Sequence, residues 1–428
     1  MVNVQTLRTR FPYGLAAPCV LLMVIAAINL SSAARSGQPH LHWIHLGRFV
    51  AACFVTGSVV FVPPSLLRRL AVVAYVLGIG LLLAVLVVGV TVKGSQRWVH
   101  VGFTRLQPSE LAKLTTLLVV VGTCASDPTR GGYTLQRLFL PFALSRPLAC
   151  GGAAVFFVAY KGLLWPFSVW KALAGLGGLL VLTTWGVECG RRLVIRGWRW
   201  HEQVALADLV GLPATLVFVQ PDLGTTVLLA APAASVVLFR GVRLRSICLA
   251  ALLVLVGGFT AWHTLLQDYQ KKRVEALLHP TSDLTGSGYH GAQSLIAVGS
   301  GRWWGKGLGE GTQTQLAFLP ENQTDFVLAL WAEEWGFVGT TVVLALFFWL
   351  ILAMLRISQQ ARNRFGRLLA FGAGALVFWH VAVNVGMVLG LLPVVGVALP
   401  FLSYGGTSLL LHTAAAALCV HVAVWRKV

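Results

Sequence analysis

Charge is scarce in this chain: 11% of its 428 residues are Asp, Glu, Lys or Arg, against about 25% in an ordinary soluble domain. Acids are scarcer still, 14 beside 33 Lys and Arg. Such a composition excludes a water-soluble globular domain. Cysteine occurs seven times but never as a Cys-x-x-Cys pair, and each copy lies in or beside an apolar run. That pattern argues against a disulfide framework and against a thiolate metal cluster. The glycine-rich GKGLGEG (305–311) follows no strand and lacks the Gly-Lys-Ser/Thr ending of a phosphate loop, so it does not read as a nucleotide site. No internal repeat is visible, which weighs against an inverted-repeat transporter.

Apolar sequence fills the space that charge leaves. Hydrophobic residues make up 57% of the chain and the mean hydropathy is +0.78. A spanning helix needs roughly 20 apolar residues, and such runs begin near Pro12, Phe49, Leu70, Pro108, Pro147, Leu163, Val204, Asp222, Ser246, Thr324, Leu368 and Gly405. The expectation is an all-α polytopic membrane helix bundle of about twelve spans, forming a single integral membrane domain over residues 1–428. The two runs within 147–187 are separated by only Tyr160, Lys161 and Gly162 and read as a hairpin that enters and leaves on one side. Residues 12–35 end near SSAA, which resembles a signal-peptide cleavage site, but the short loop that follows favours a retained first span.

The formal charge of +19 raises nucleic acid as a partner, yet the cations sit in short loops between apolar runs. Twenty of the 33 Lys and Arg, from Arg8 and Arg10 to Arg426 and Lys427, fall in loops on one side of the membrane. The positive-inside rule then puts both termini in the cytoplasm and leaves no role for nucleic acid.

Three outward segments break the rhythm of short turns: 91–114, 267–323 and 392–408. In the first, Pro108 suits the opening turn of a helix, which places Glu110 and Lys113 on one face. They form either an interfacial salt bridge or, because an ionisable group inside a span is costly, part of a functional site. In the long segment, YQKKRVEALLH (269–279) reads as an interfacial amphipathic helix, HGAQSLIAVGS (290–300) as a second helical piece, and GKGLGEGTQTQLAFLP as flexible backbone. Arg97, Arg105, Arg302 and Lys306 are cations suited to an anionic lipid headgroup. Asp222, in FVQPDLGTTVLL, reads first as an N-cap, and Asn384 as glue between helices.

LPENQTDFVLALWAEEWGFVG (319–339) carries three acids in an otherwise apolar run. Thr324 is the expected N-cap, which would put Asp325 in the first helical turn, where the helix dipole favours a carboxylate. An ionised carboxylate there suits a base better than an acid. Glu333 and Glu334 lie two to three turns deeper and point to different faces. They should be buried, paired with a cation, or placed where the helix is interrupted near Gly336.

Together QRWVHVGFTRLQPSELAKL, FVQPDLGTTVLL, the stretch from GSGYHGAQSLIAVGSG to TDFVLALWAEEWGFVG, and GMVLGLLPVVGVALPFLSYGGTSLLL resemble the RodA/FtsW/SpoVE (SEDS) family of bacterial cell-wall polymerases. GTQTQL and GMVLGLLP look more like RodA, the elongation member, than FtsW, the division member. The resemblance implies a peptidoglycan glycosyltransferase. It would polymerise lipid II, with undecaprenyl-pyrophosphate-linked glycan as the growing chain, on the outer face of the inner membrane, beside a class B penicillin-binding protein. It puts the catalytic aspartate on Asp325 and the Arg, Gln, Glu and Lys of R-x-Q-P-S-E-x-x-K on Arg105, Gln107, Glu110 and Lys113. Arg97, Arg302 and Lys306 join these as candidate substrate binders, with Glu333, Glu334 and Asp222 as supports. A divalent cation, Mg or Mn, is a candidate cofactor. Gln323 stands where many relatives carry His, and the 147–187 hairpin is extra to the family's ten spans. A lipid flippase using the same cations, with Glu333, Glu334 and Asn384 lining a polar path, and a non-catalytic scaffold are the alternatives.

Overall fold

A computed structural model describes residues 4–33, 40–92, 95–101, 104–127, 132–134, 206–220, 222–264, 287–315 and 323–427, with single residues 138, 271, 274, 277, 318 and 321. The helices are α1 (Val4–Arg10), α2 (Tyr13–Ala33), α3 (Leu41–Gly57), α4 (Pro64–Val88), α5 (Pro108–Ser126), α6 (Leu206–Val219), α7 (Leu223–Arg240), α8 (Leu244–Thr264), α9 (Ser287–Ser300), α10 (Thr312–Gln315), α11 (Val327–Gln360), α12 (Arg364–Val388) and α13 (Gly406–Val424). Among the described residues eight helices are long and apolar enough to cross a membrane, and Leu206–Val219 and Leu244–Thr260 are shorter apolar helices. The ten spans expected outside 147–187 therefore all fall on helices, and the protein is a multi-pass membrane helix bundle. The hairpin expected at 147–187 lies outside the described residues, as does most of 269–279, of which residues 271, 274 and 277 are helical. The second span starts earlier than its apolar run suggested, at Leu41 instead of near Phe49, because the His and Arg of LHWIHLGRF are carried inside the helix.

The chain divides into two compact units, Met1–Pro64 with Ala251–Val428, and Ser65–Ala250. In the first, α11 packs on α2, α9, α12 and α13, and α13 on α3. Leu15, Leu22, Met23, Ala26 and Leu30 of α2 are buried while Val20, Leu21 and Val24 are exposed. Both faces are apolar, as expected where lipid replaces water as the solvent. Close approach relies on small residues: a Cβ added to Gly374 of α12 would lie 3.3 Å from Met354 Cβ of α11.

In the second unit α5, α6 and α7 pack together, and Tyr75 of α4 donates its hydroxyl to Leu209 O of α6 at 3.0 Å. The segment at 91–114 folds in a way the sequence did not announce. Instead of a plain loop, β1 (Val90–Val92), β2 (Ser95–Val101) and β3 (Thr104–Leu106) form a small antiparallel sheet, with Trp98 opposite Val90 and Arg105 opposite His100. The paired strands satisfy backbone groups at the end of a span and deliver the chain to Pro108, the first residue of α5.

Candidate active site

Asp325 stands just ahead of a helix, not inside it. Glu321 O accepts from the backbone N–H groups of Thr324, Asp325 and Phe326 at 3.1, 3.1 and 3.2 Å, and Glu321 itself has φ +56°. This turn closes before α11 begins, so Phe326 occupies the N-cap and Thr324 does not. Thr324 instead donates its hydroxyl to Glu321 Oε2 at 3.0 Å. The expected first-turn placement of Asp325 is corrected to the turn one residue before the cap.

Asn384 and residues 403–404 hold that turn. Asn384 Nδ2 of α12 donates to Asp325 O at 2.8 Å and to Val397 O at 2.7 Å. Ser403 Oγ donates to Thr324 O at 2.5 Å, and Tyr404 N to Gln323 O at 2.8 Å. Asp325 is half-buried, and its carboxylate lies against Gly396, where an added Cβ would sit 3.3 Å from Oδ2. Gly396 also has φ +69°, which favours glycine independently. Three backbone carbonyls in a row, on Gln323, Thr324 and Asp325, are thus pinned by residues 384–404, leaving the carboxylate side chain as the group the turn presents.

Glu333 and Glu334 meet all three expectations. They are 0% and 1% exposed, one is ion-paired, and α11 breaks two residues later at Gly336 (φ 64°, ψ −160°). Glu333 Oε1 accepts from Lys306 Nζ at 2.7 Å, Gln313 N at 3.0 Å and Thr312 Oγ1 at 3.3 Å. Glu334 Oε1 accepts from Gly309 N at 3.1 Å and from Ser32 Oγ of α2.

The break itself is filled by backbone. In an unbroken helix Phe337 N and Val338 N would donate to Glu333 O and Glu334 O. Here those carbonyls accept from Lys306 N and Gly307 N, both at 3.0 Å, while Phe337 N and Val338 N donate to Arg302 O at 2.8 Å and Trp303 O at 3.1 Å. Residues 302–307 are therefore spliced into the hydrogen-bond ladder of α11. The approach is close enough that a Cβ on Gly305 would lie 2.1 Å from Glu334 O. Of GKGLGEGTQTQLAFLP, expected to be flexible, Gly305, Lys306, Gly307 and Gly309 are held by hydrogen bonds of their backbone N–H groups. Phe337–Gln360 counts 24 residues in the helix, about 36 Å at 1.5 Å each, enough to span by itself. Val327–Trp335 is thus a separate short arm carrying Asp325 at its start.

Lys306, expected at the substrate, spends its ammonium on Glu333 and on Thr312 Oγ1 at 2.8 Å. Arg302 is exposed at the edge of the plug with φ +48°. In the second unit Arg97 pairs with Asp222 at 3.2 Å, and Asp222 Oδ1 caps α7 by accepting from Thr225 N at 3.1 Å. Glu110 and Lys113 form a buried pair at 2.8 Å on α5, with Glu110 Oε2 lacking a hydrogen-bond partner. Arg105 lies on β3 and Gln107 is the N-cap residue of α5. Among the described residues no three His, Cys, Asp or Glu side chains gather as a metal-binding group.

Two residues of this neighbourhood escaped the sequence reading or were undervalued by it. Asn384 looked like interhelical glue but ties Asp325 to the segment after α12. Arg48 was overlooked altogether. It lies seven residues into α3, about 10 Å along the helix, with its guanidinium carbon 4.7 Å from the centre of the Tyr404 ring, and among the described residues no acid pairs with it. A lone arginine at the centre of a span costs about 2.5–3.5 kcal/mol, and a cation–π contact returns about 0.5–2 kcal/mol. The signal available in sequence was the charge itself, inside a run otherwise fit to span.

The profile of the FtsW/RodA/SpoVE family, described as cell cycle protein, matches residues 10–146 and 191–428. The chain belongs to the FtsW/RodA/SpoVE family. The family match leaves out the residues between, where the extra hairpin was expected. The chain is 34% identical over 414 residues to the peptidoglycan glycosyltransferase MrdB of Escherichia coli strain K12, covering 96% of this chain and 94% of that one. It is 32% identical over 431 residues to a probable peptidoglycan glycosyltransferase FtsW of Alteromonas naphthalenivorans, covering 98% and 70%. Among solved structures it resembles a chain of a peptidoglycan synthase complex, whose description concerns coordination of polymerization and crosslinking, with a TM-score of 0.67, 25% identity and coverage of 97% and 98%. The rod shape determining protein RodA of Thermus thermophilus shares the fold, with a TM-score of 0.59, 24% identity and coverage of 98% of each chain.

Proposed function

We propose that this protein is a peptidoglycan glycosyltransferase that polymerises lipid II at the outer face of the bacterial cytoplasmic membrane, with Asp325 as its general base. The family and the glycosyltransferases it resembles support the reaction class. The observation that carries the assignment of the base is the pinning of the Gln323–Asp325 backbone by Asn384, Ser403 and Tyr404, with the carboxylate set against Gly396. A catalytic group held by its main chain keeps its side chain in position.

In this reading the Asp325 carboxylate accepts the proton of the acceptor sugar's 4-hydroxyl as that oxygen attacks the anomeric carbon of the lipid-linked chain. The bond to pyrophosphate breaks, and the lipid pyrophosphate departs as an anion. It needs no proton, so one carboxylate suffices where glycosidases use a pair. Arg302 is assigned to the substrate's anionic groups, and Arg97, Arg105, Gln107, Glu110 and Lys113 are candidate substrate binders on the sequence reading. Lys306, Glu333, Glu334 and Asp222 are supports. No step is routed through a metal. Both termini face the cytoplasm, a class B penicillin-binding protein is the partner, and cell elongation is the setting. The relation to a chain from a peptidoglycan synthase complex supports the partner.

The flippase alternative called for a polar path lined by Glu333, Glu334 and Asn384, and all three are buried with hydrogen bonds to protein. The test is lipid II polymerisation by purified Asp325→Asn protein with its partner. A loss of at least 100-fold at unchanged melting temperature is expected from removal of the base; a wild-type rate would end the assignment.

A further inference from the structure

The geometry points to Arg48 as a binding residue for the phosphate group of a membrane lipid. The site stands on the geometry of α3 and Tyr404; only the choice of lipid rests on the glycosyltransferase reading. Arg48 is half-buried in a spanning helix and lies over the Tyr404 ring. That contact uses the face of the guanidinium and leaves donors at its edge, the fork that matches phosphate oxygens. The ring contact offsets only part of the cost of a charge at that position, and among the described residues no carboxylate supplies the rest. An anion from outside the chain would.

The surroundings are built for occupancy. Tyr404 is fixed through its N–H to Gln323 O, two residues from Asp325, so the cation belongs to the end of its unit that carries the proposed base. Two residues on, Gly406 lies beside the arginine, where an added Cβ would meet Arg48 Cδ at 3.7 Å, an ordinary contact. One turn earlier on α3, buried His45 bonds Phe401 O at 2.9 Å through Nε2. The carbonyl can only accept, so Nε2 carries the proton and Nδ1 is an acceptor. Nδ1 has no partner among the described residues. Ile44, Ala51 and Val55, on the Arg48 side of the same helix, are exposed, an apolar surface for a lipid tail. A free phosphate matches the cation but not that surface.

Two lipids offer this chemistry, a polyprenyl-linked phosphate and an ordinary anionic phospholipid. Purified full-length protein in phosphatidylcholine nanodiscs is titrated with undecaprenyl phosphate or with phosphatidylglycerol, for wild type, Arg48→Gln and Arg48→Lys, and again in Asp325→Asn background. Arg48→Gln should weaken one lipid by about 10-fold or more, with Arg48→Lys between it and wild type. Loss of undecaprenyl phosphate assigns the site to the substrate's lipid, and the KM for lipid II then rises by a similar factor at unchanged kcat. Loss of phosphatidylglycerol alone assigns it to bulk lipid. Equal affinity of wild type and variants for both lipids overturns the proposal. If Arg48→Gln does not fold, the same comparison with Arg48→Lys decides. Binding needs no turnover, so it survives failure of the Asp325 assignment.

Discussion

Replacing Gly301 with alanine should undock the plug from the break in α11. A methyl there would lie 1.9 Å from Ala332 O, 2.9 Å from Ala332 C and 3.2 Å from Glu333 Cα. All three are backbone atoms, which no side-chain rotation can move aside. A carbon–oxygen contact needs roughly 3.3 Å, so the segments must part by about 1.4 Å. Bonds now 2.8 to 3.1 Å long, at Lys306 N, Gly307 N, Phe337 N and Val338 N, would open past the limit of a hydrogen bond. At about 1 kcal/mol net for each of the four, docking loses roughly 3–4 kcal/mol, a factor of 10² to 10³ in the open population. Hydrogen exchange read by mass spectrometry on peptides covering 301–307 and 333–338 measures that population. The matched control is Gly299→Ala, two residues earlier on α9, where an added Cβ meets nothing within 4 Å. Polymerisation should fall with docking, because the arm that begins beside Asp325 is anchored by the same bonds. If Gly301→Ala exchanged no faster than Gly299→Ala, the splice would not be holding the arm.

Other substitutions separate structural from functional roles. Glu110→Ala removes the carboxylate bonded at 2.8 Å to Lys113, which is 2% exposed, and should cost up to about 3–5 kcal/mol in detergent unfolding. The double variant Glu110→Met with Lys113→Met should recover most of that stability while remaining inactive in polymerisation; recovered activity would reduce the pair to a brace. Asn384→Asp replaces two donated hydrogen bonds with a carboxylate facing the carbonyls of Asp325 and Val397. It should lower kcat more than Asn384→Ala does, and the reverse order would show that Asn384 only fills space. Exhaustive chelation should leave the melting temperature unchanged, since no three-ligand group of His, Cys, Asp or Glu exists among the described residues; a fall of several degrees would reveal a structural ion.

The spans were legible because a membrane demands uninterrupted apolar length, and that length is written along the chain. The fates of Glu333 and Glu334 were legible for a related reason: a carboxylate inside a span leaves few solutions, and this protein adopts all of those foreseen at once. What stayed hidden depends on contacts between distant segments. Nothing local distinguishes a spacer glycine in GKGLGEG from Gly305, which admits another backbone at 2.1 to 2.5 Å; the difference is Glu334 and Trp335, some thirty residues on. Asp325 was readable as a candidate base, but its position ahead of the cap was not, because Glu321 O gathers three N–H groups and Ser403 takes Thr324 O away from the helix. Strands β1 to β3 were missed because strands of three, seven and three residues are too short to show an alternation.

The burial of acids also alters what the protein looks like to its surroundings. Of the 14 acids, Glu110, Asp127, Asp222, Glu333 and Glu334 are buried, whereas Lys113 is the one buried Lys or Arg among the described residues. A composition already weighted toward base thus shows an even more one-sided face, because negative charge is turned inward to hold the fold while positive charge is left at the surface. Each exposed cation near a membrane surface attracts anionic lipid by about 1 kcal/mol. The protein should carry its own annulus, richer in anionic lipid than the membrane through which it moves, and its substrate would arrive by exchanging into that ring.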